Sequence, residues 1–128
     1  MFRLSKKTDY ALLALQYLAS PGKPGDVSAR AIAERFEIPA ELLAKTLQRL
    51  AHDGLITAHK GVHGGYRLAR SPDAISIADV AQAVDGPVDL AASPPADARR
   101  DQLAARVLAL LRALTVADIG TTFQEGTR

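Results

Sequence analysis

"AELLAKTLQRLAHDGLITAHKGVHGGYRLA", residues Ala40 to Ala69, changes its hydrophobic period partway along. In the first half, Leu43, Thr46, Leu47 and Leu50 fall on one side of a helix stepped at about 100° per residue. Glu41, Ala44, Lys45, Gln48 and His52 share the opposite side. The spacing therefore predicts a helix from Ala40 to about Asp53, ended by Gly54, the residue type that tolerates the left-handed position after a helix. Beyond it, "LITAH" (Leu55 to His59) and "YRLA" (Tyr66 to Ala69) read as two short strands, with "KGVHGG" as a glycine-bearing hairpin loop. Glycine at such a tip accepts positive φ and lets backbone approach a surface closely.

Upstream, "EIP" (Glu37 to Pro39) breaks a short helix that Ser28 can cap, with Ile32 and Phe36 pointing inward. Two helices joined by a tight turn make a helix-turn-helix, and the hairpin that follows makes it a winged one. A further helix precedes them. Ser5 caps it, Tyr10, Leu13, Ala14, Tyr17 and Leu18 recur on one face, and Pro21, Gly22, Pro24 and Gly25 end it after about Ser20.

Downstream, "ISIADV" carries a capping box, Ser76 with Asp79, and a hydrophobic staple, Ile75 with Val80, opening a fourth helix to about Val84. Asp85 to Ala98 reads as a loop rich in Pro, Ala and Asp. A long helix returns from about Asp97 to Leu114. Leu103, Val107, Leu110 and Leu114 are spaced 4, 3 and 4 along it, a short heptad seam suited to pairing with a copy of itself. Leu108 and Leu111 widen the apolar face, so packing within one subunit stays open at this point. "TVADI" repeats the capping-box chemistry with Thr115 and Asp118, and "TTFQEGTR" reads as a frayed end.

The fold expected is mainly α with a small β-hairpin, a winged helix-turn-helix DNA-binding domain plus a long C-terminal dimerisation helix. Its parts are 1–84 for the winged domain, 85–98 for the loop and 99–128 for the dimerisation helix and tail. The whole chain, at 128 residues, is about one domain's worth.

Charge narrows the function. Residues 1–70 hold 11 Lys/Arg against 6 Asp/Glu, whereas residues 71–128 hold 5 against 8. A basic front and acidic back suit a front half that meets a polyanion, because neutralised phosphates release counterions. From Gly54 through Pro72 there is no acid at all, while His59, Lys60, His63, Arg67 and Arg70 supply basic side chains. "MFRLSKKTDY" lacks an apolar signal core and no run is long enough to span a bilayer, so a cytoplasmic protein without membrane contact is expected. Cysteine is absent, which removes disulfides, thiolate nucleophiles and every Cys-based metal site. His59 and His63 have an H-x-x-x-H spacing, but they flank a hairpin loop instead of sharing a helix face, so no metal site is assigned.

The stretches "RLSKKTDYALLALQYLA", "IPAELLAKTLQRLAHDGLITAHKGVHGGYRLA" and "TVADI" together resemble the Rrf-two family of bacterial regulators, the first of them most like the branch that controls iron–sulfur assembly operons. The resemblance covers nearly the whole chain, and it is the recognition helix combined with a "G-x-x-G-G-Y-x-L" wing that makes it specific. It implies a homodimeric transcription factor whose long helices cross at the dimer interface, whose recognition helices enter major grooves of double-stranded DNA, and whose wings reach adjacent minor grooves. In iron–sulfur members three cysteines between the fourth helix and the dimer helix hold a cluster. Here that segment, Val88 to Asp101, is short and cysteine-free, and Asp89, Asp97 and Asp101 are no substitute for thiolates, so no cofactor is expected.

On that footing Lys60, where the family usually carries Arg, is expected in or beside the minor groove, whose negative potential attracts cations. His63, Gly64 and Gly65 would offer backbone N–H groups, and Arg67 a phosphate contact, while Tyr66 and Leu68 turn to the core. Lys45 and Gln48 are the candidates for base edges, Glu41 can accept from cytosine, and Arg49, Lys6, Lys7 and Arg30 would contact phosphate. The expected function is a sequence-specific regulator, a repressor acting as a homodimer on a pseudo-palindromic operator and linked to iron–sulfur assembly or stress genes. The alternative is a winged-helix interaction module that needs a partner, or a small-molecule effector, to act. An enzyme is not expected, since no nucleophile–base arrangement or phosphate-cradling loop is present.

Overall fold

The computed structural model describes residues 5–20, 26–62, 64–86 and 98–118, with backbone alone for 98–101, 103 and 104. Its elements are α1 (Lys6–Ala19), α2 (Ala29–Phe36), α3 (Ala40–His52), β1 (Ile56–His59), β2 (Gly65–Leu68), a 3-10 turn at Pro72–Ala74, α4 (Ile77–Asp85) and α5 (Ala98–Ala113). The fold is mainly helical with one two-stranded antiparallel hairpin.

Helix starts follow local chemistry. The hydroxyls of Ser5 and Ser28 accept from the Thr8 and Ala31 N–H groups, each at 3.1 Å, filling donors that a helix N-terminus leaves unpaired. Ser76 and Asp79 form the reciprocal box, with both bonds at 3.0 Å. Helix ends are equally local. At the close of α3 the Gly54 N–H donates to the Ala51 carbonyl at 3.1 Å and the Leu55 N–H to the Leu50 carbonyl at 3.0 Å, the two bonds of a Schellman end. Gly54 has φ 78° as that motif requires. α2 ends differently, on Glu37 at φ 55°, a left-handed position without the freedom of glycine.

α1, α3 and α4 pack on one another around a core of Ala11, Leu15, Ile32, Leu43, Leu47, Leu50, Ile75 and Val80. The face α1 buries is only partly the expected one: Ala14 is fully buried, and Tyr10, Tyr17 and Leu18 pack against the core without being enclosed by it. Thr8, Ala11, Ala14 and Leu15 are buried, while Tyr10, Leu13, Tyr17 and Leu18 stand half-buried. Alanines let the helices approach closely, and the Thr8 hydroxyl can be buried because it donates to Asp85 Oδ2 at 2.9 Å, with Ser5 donating to the same oxygen. Thr46 is satisfied likewise, donating to the Leu42 carbonyl at 2.8 Å. Among the described residues no buried side-chain nitrogen or oxygen lacks a partner.

In the hairpin, Ile56 pairs with Leu68, Thr57 with Arg67, Ala58 with Tyr66 and His59 with Gly65. Each strand lies one residue away from its expected position at one or both ends: the Leu55 N–H is taken by the close of α3, and its carbonyl accepts from the Ala69 N–H, just beyond β2, at 3.1 Å. A bridge not anticipated from the sequence joins Val27, just before α2, to Tyr66: two backbone bonds of 2.9 and 2.7 Å run between them.

α5 packs on α4. Its C-terminal end is tied back by the Ile77 N–H to the Leu114 carbonyl (2.9 Å) and the Val116 N–H to the Ile75 carbonyl (3.0 Å), and Val116 is buried in the same core. Thr115 and Asp118 form the expected cap, with the Thr115 N–H donating to Asp118 Oδ2 at 2.9 Å. No helix among the described residues is long and apolar enough to cross a membrane. The loop segment 87–97 and the last residues, 119–128, lie outside the described residues.

Candidate nucleic-acid interface

α3 is positioned by its buried side. Leu43, Thr46, Leu47 and Leu50 are inside, so Glu41, Lys45, Gln48, Arg49 and His52 are all exposed along the rest of the cylinder, with Ala44 half-buried among them. Glu41 in the first turn and Arg49 and His52 in the last both suit the helix dipole, so this face combines acceptor and donor chemistry without opposing the helix. α2 packs against α3 and completes the helix-turn-helix, and β1 follows α3 directly.

The wing is a tight structure. Gly61 turns the chain at φ 123°, and the Gly64 N–H closes the loop on the Gly61 carbonyl at 3.0 Å. A Cβ on Gly64 would sit 2.3 Å from the His59 carbonyl oxygen, and one on Gly65 would sit 2.5 Å from the Val27 backbone. The paired glycines therefore have an internal cause: neighbouring backbone occupies the space a side chain would need. Their expected N–H contacts to DNA are a separate matter, and the Gly64 N–H already has an intramolecular acceptor. Lys60 is exposed beside this turn, and Val62, at its tip, is 97% exposed. His63 lies outside the described residues.

Several expected cations have partners. Arg67 Nε donates to Asp26 Oδ1 at 2.6 Å, across 41 residues of chain. That bond holds the Asp26 carboxyl below its ordinary value, with burial opposing to a lesser degree, and it raises the Arg67 guanidinium further. Arg30 pairs with Glu34 at 3.0 Å, one helical turn on, with both side chains well exposed. Such a pair is screened and weak, so it leaves Arg30 available. Lys6 and Lys7 are exposed in the first turn of α1. Asp26 and Val27, which anchor the wing, and Val62, exposed in its turn, are the residues of this region that sequence reasoning missed; no periodic signal marks the first two, and Val62 was legible only as part of the loop.

On α5, Leu110 and Leu114 are exposed, at 63% and 45%, while Val107, Leu108 and Leu111 are half-buried. The side chain of Leu103 is outside the described residues. Among those residues no group of three or more His, Asp or Glu is placed to hold a metal.

A helix-turn-helix whose second helix turns a polar face outward and runs straight into a glycine-bound hairpin defines a winged helix-turn-helix protein. Residues 4–121 match the profile described as "Rrf2: Iron-dependent Transcriptional regulator", and the chain belongs to this family. A Mycobacterium tuberculosis protein carrying the provisional name of HTH-type transcriptional regulator is 36% identical, across 91% of this chain and 80% of its own length. A similarly named Synechocystis protein is 41% identical over 65% of this chain, which spans only 56% of that relative. Among solved structures, CymR of B. subtilis, titled the global cysteine regulator, superposes with TM-score 0.79 at 25% identity over 95% of this chain and 98% of that one. T. potens IscR gives 0.77 at 25% identity over 99% and 92%. The family is one of transcriptional regulators, not enzymes.

The family's description invokes iron. The donor set of this chain does not fit a cluster held by thiolates, because it contains no cysteine.

Proposed function

We propose that this chain is a sequence-specific DNA-binding transcriptional regulator, a repressor in the cytoplasm that acts as a homodimer on a pseudo-palindromic operator without an iron–sulfur cluster. The observation that carries the reading is the exposed face of α3, where Glu41, Lys45 and Gln48 stand opposite a fully buried leucine side and continue directly into the wing.

Lys45 and Gln48 meet base edges in the major groove, Glu41 accepts from a cytosine amino group, and Arg49, Lys6, Lys7 and Arg30 lie on phosphate. Lys60 enters the minor groove beside the wing turn, and the contacts expected of His63, Gly64 and Gly65 fall in the same groove. The Leu110 and Leu114 side of α5, together with Val107 and Leu103, pairs with a second copy, and the dimer geometry then sets the half-site spacing. Its genes belong to iron–sulfur assembly or stress, the business of the branch its N-terminal stretch resembles.

The test is selection of genomic fragments by the purified protein, without added iron, at about 150 mM salt, where nonspecific attraction is already reduced. One palindromic motif is the expected result. Recovery of nothing specific overturns the reading and favours a module that needs a partner or an effector.

A further inference from the structure

Arg67 is the most central cation of the wing, and it is the one already engaged. Its Nε is 2.6 Å from Asp26 Oδ1, and the Asp26 side chain is 11% exposed against 52% for Arg67. Immediately beside this pair, Val27 and Tyr66 exchange both backbone hydrogen bonds, at 2.9 and 2.7 Å. Gly65, next along β2, has Val27 backbone where its Cβ would be. The Asp26–Arg67 pair and the Val27–Tyr66 backbone bonds thus fasten one strand of the wing to the two residues that lead into α2, and Gly65 permits the close approach.

Asp26 is also an anomaly of charge. It places a carboxylate against an otherwise acid-free stretch of nineteen residues, Gly54 through Pro72. An unpaired carboxylate there would repel a polyanion. Paired, it cancels Arg67, and the wing then presents Lys60 as its lysine or arginine nearest the tip.

From this geometry we infer that Arg67 is a positioning residue and not a phosphate ligand: held by Asp26, it fixes the angle of the wing relative to the helix-turn-helix and so places the Lys60–Val62 tip. The inference rests on the DNA-binding reading and names how that site is kept in register. The pair joins β2 to the chain entering α2, and α2 packs on α3, so wing and recognition helix share one frame.

Two substitutions decide it, Asp26→Asn and Arg67→Gln, measured on the selected operator across a salt series. The Arg67 side chain is half exposed and that of Asp26 largely covered, and thermal melting establishes that each variant is folded. Positioning predicts that either substitution weakens binding by about three- to tenfold, that the double variant is no worse than the worse single, and that the double variant, which removes one charge of each sign, keeps the wild-type salt slope. A phosphate role predicts otherwise: Asp26→Asn tightens binding, and the double variant flattens the slope by about 0.9, one phosphate's worth. Either of those results overturns the inference, as does unchanged affinity in both variants. Failure of the wild type to select any motif would instead bring down the DNA-binding reading itself.

Discussion

Lys60 stands exposed one residue before Gly61 turns the chain, and nothing in the core depends on it. A substitution there reports on binding alone. Lys60→Ala is expected to weaken operator binding by about 1–3 kcal/mol, with a slightly flatter salt dependence, as titration on the selected operator would show. An unchanged affinity and slope would remove Lys60 from the site. Glu37 makes the complementary case, a residue whose cost is conformational. It holds φ 55° at the end of α2, where its Cβ is disfavoured, and it is exposed. Glu37→Gly is expected to stabilise the protein by about 0.5–1 kcal/mol, read from the denaturation midpoint, with operator affinity unchanged. A loss of stability would mean that the freedom glycine brings to the unfolded chain outweighs the strain it relieves.

At the scale of elements, what was legible was whatever depends on near neighbours in sequence. Ser5, Ser28, Ser76 and Thr115 each cap as their spacing indicates, and Gly54 closes α3 as a left-handed glycine should. The buried side of α3 also agrees residue for residue, and of the set listed opposite it Glu41, Lys45, Gln48 and His52 are exposed while Ala44 is half-buried. Contacts closed over distance were not legible. The Val27 bridge and the Asp26–Arg67 pair each join chain about 40 residues apart, and a single bridging residue leaves no period to read. The face of α1 was legible only in part. Ala14 is buried as expected and Tyr10, Tyr17 and Leu18 pack on the core, but Thr8, Ala11 and Leu15 complete the buried side, and Thr8 owes its place to a carboxylate at the end of α4. α5 is intermediate, since its apolar stripe was plain but not its allegiance. Leu110 is the residue to charge, being 63% exposed where Val107 is half-buried. Leu110→Glu is expected to yield a folded monomer by light scattering with loss of tight operator binding; a variant that stayed dimeric would place the interface elsewhere.

For the whole molecule, the absence of cysteine separates the architecture from the chemistry its family is described by. The protein is expected to stay colourless after anaerobic reconstitution with iron and sulfide, and its operator affinity to be indifferent to iron or reductant. A visible chromophore, or an affinity that moved with iron, would overturn this. The winged unit and α5 are nevertheless not separable parts. Val116, beyond α5, fills a place in the core beside Ile75, and the backbone on either side of Thr115 is bonded to the strand-like entry of α4. A chain cut after α4 would carry a hole where that valine sits and two peptide groups facing water. In evolutionary terms the winged unit is therefore a poor candidate for shuffling: any descendant that borrowed it would have to bring the last helix along, and with it the surface proposed to meet a second copy.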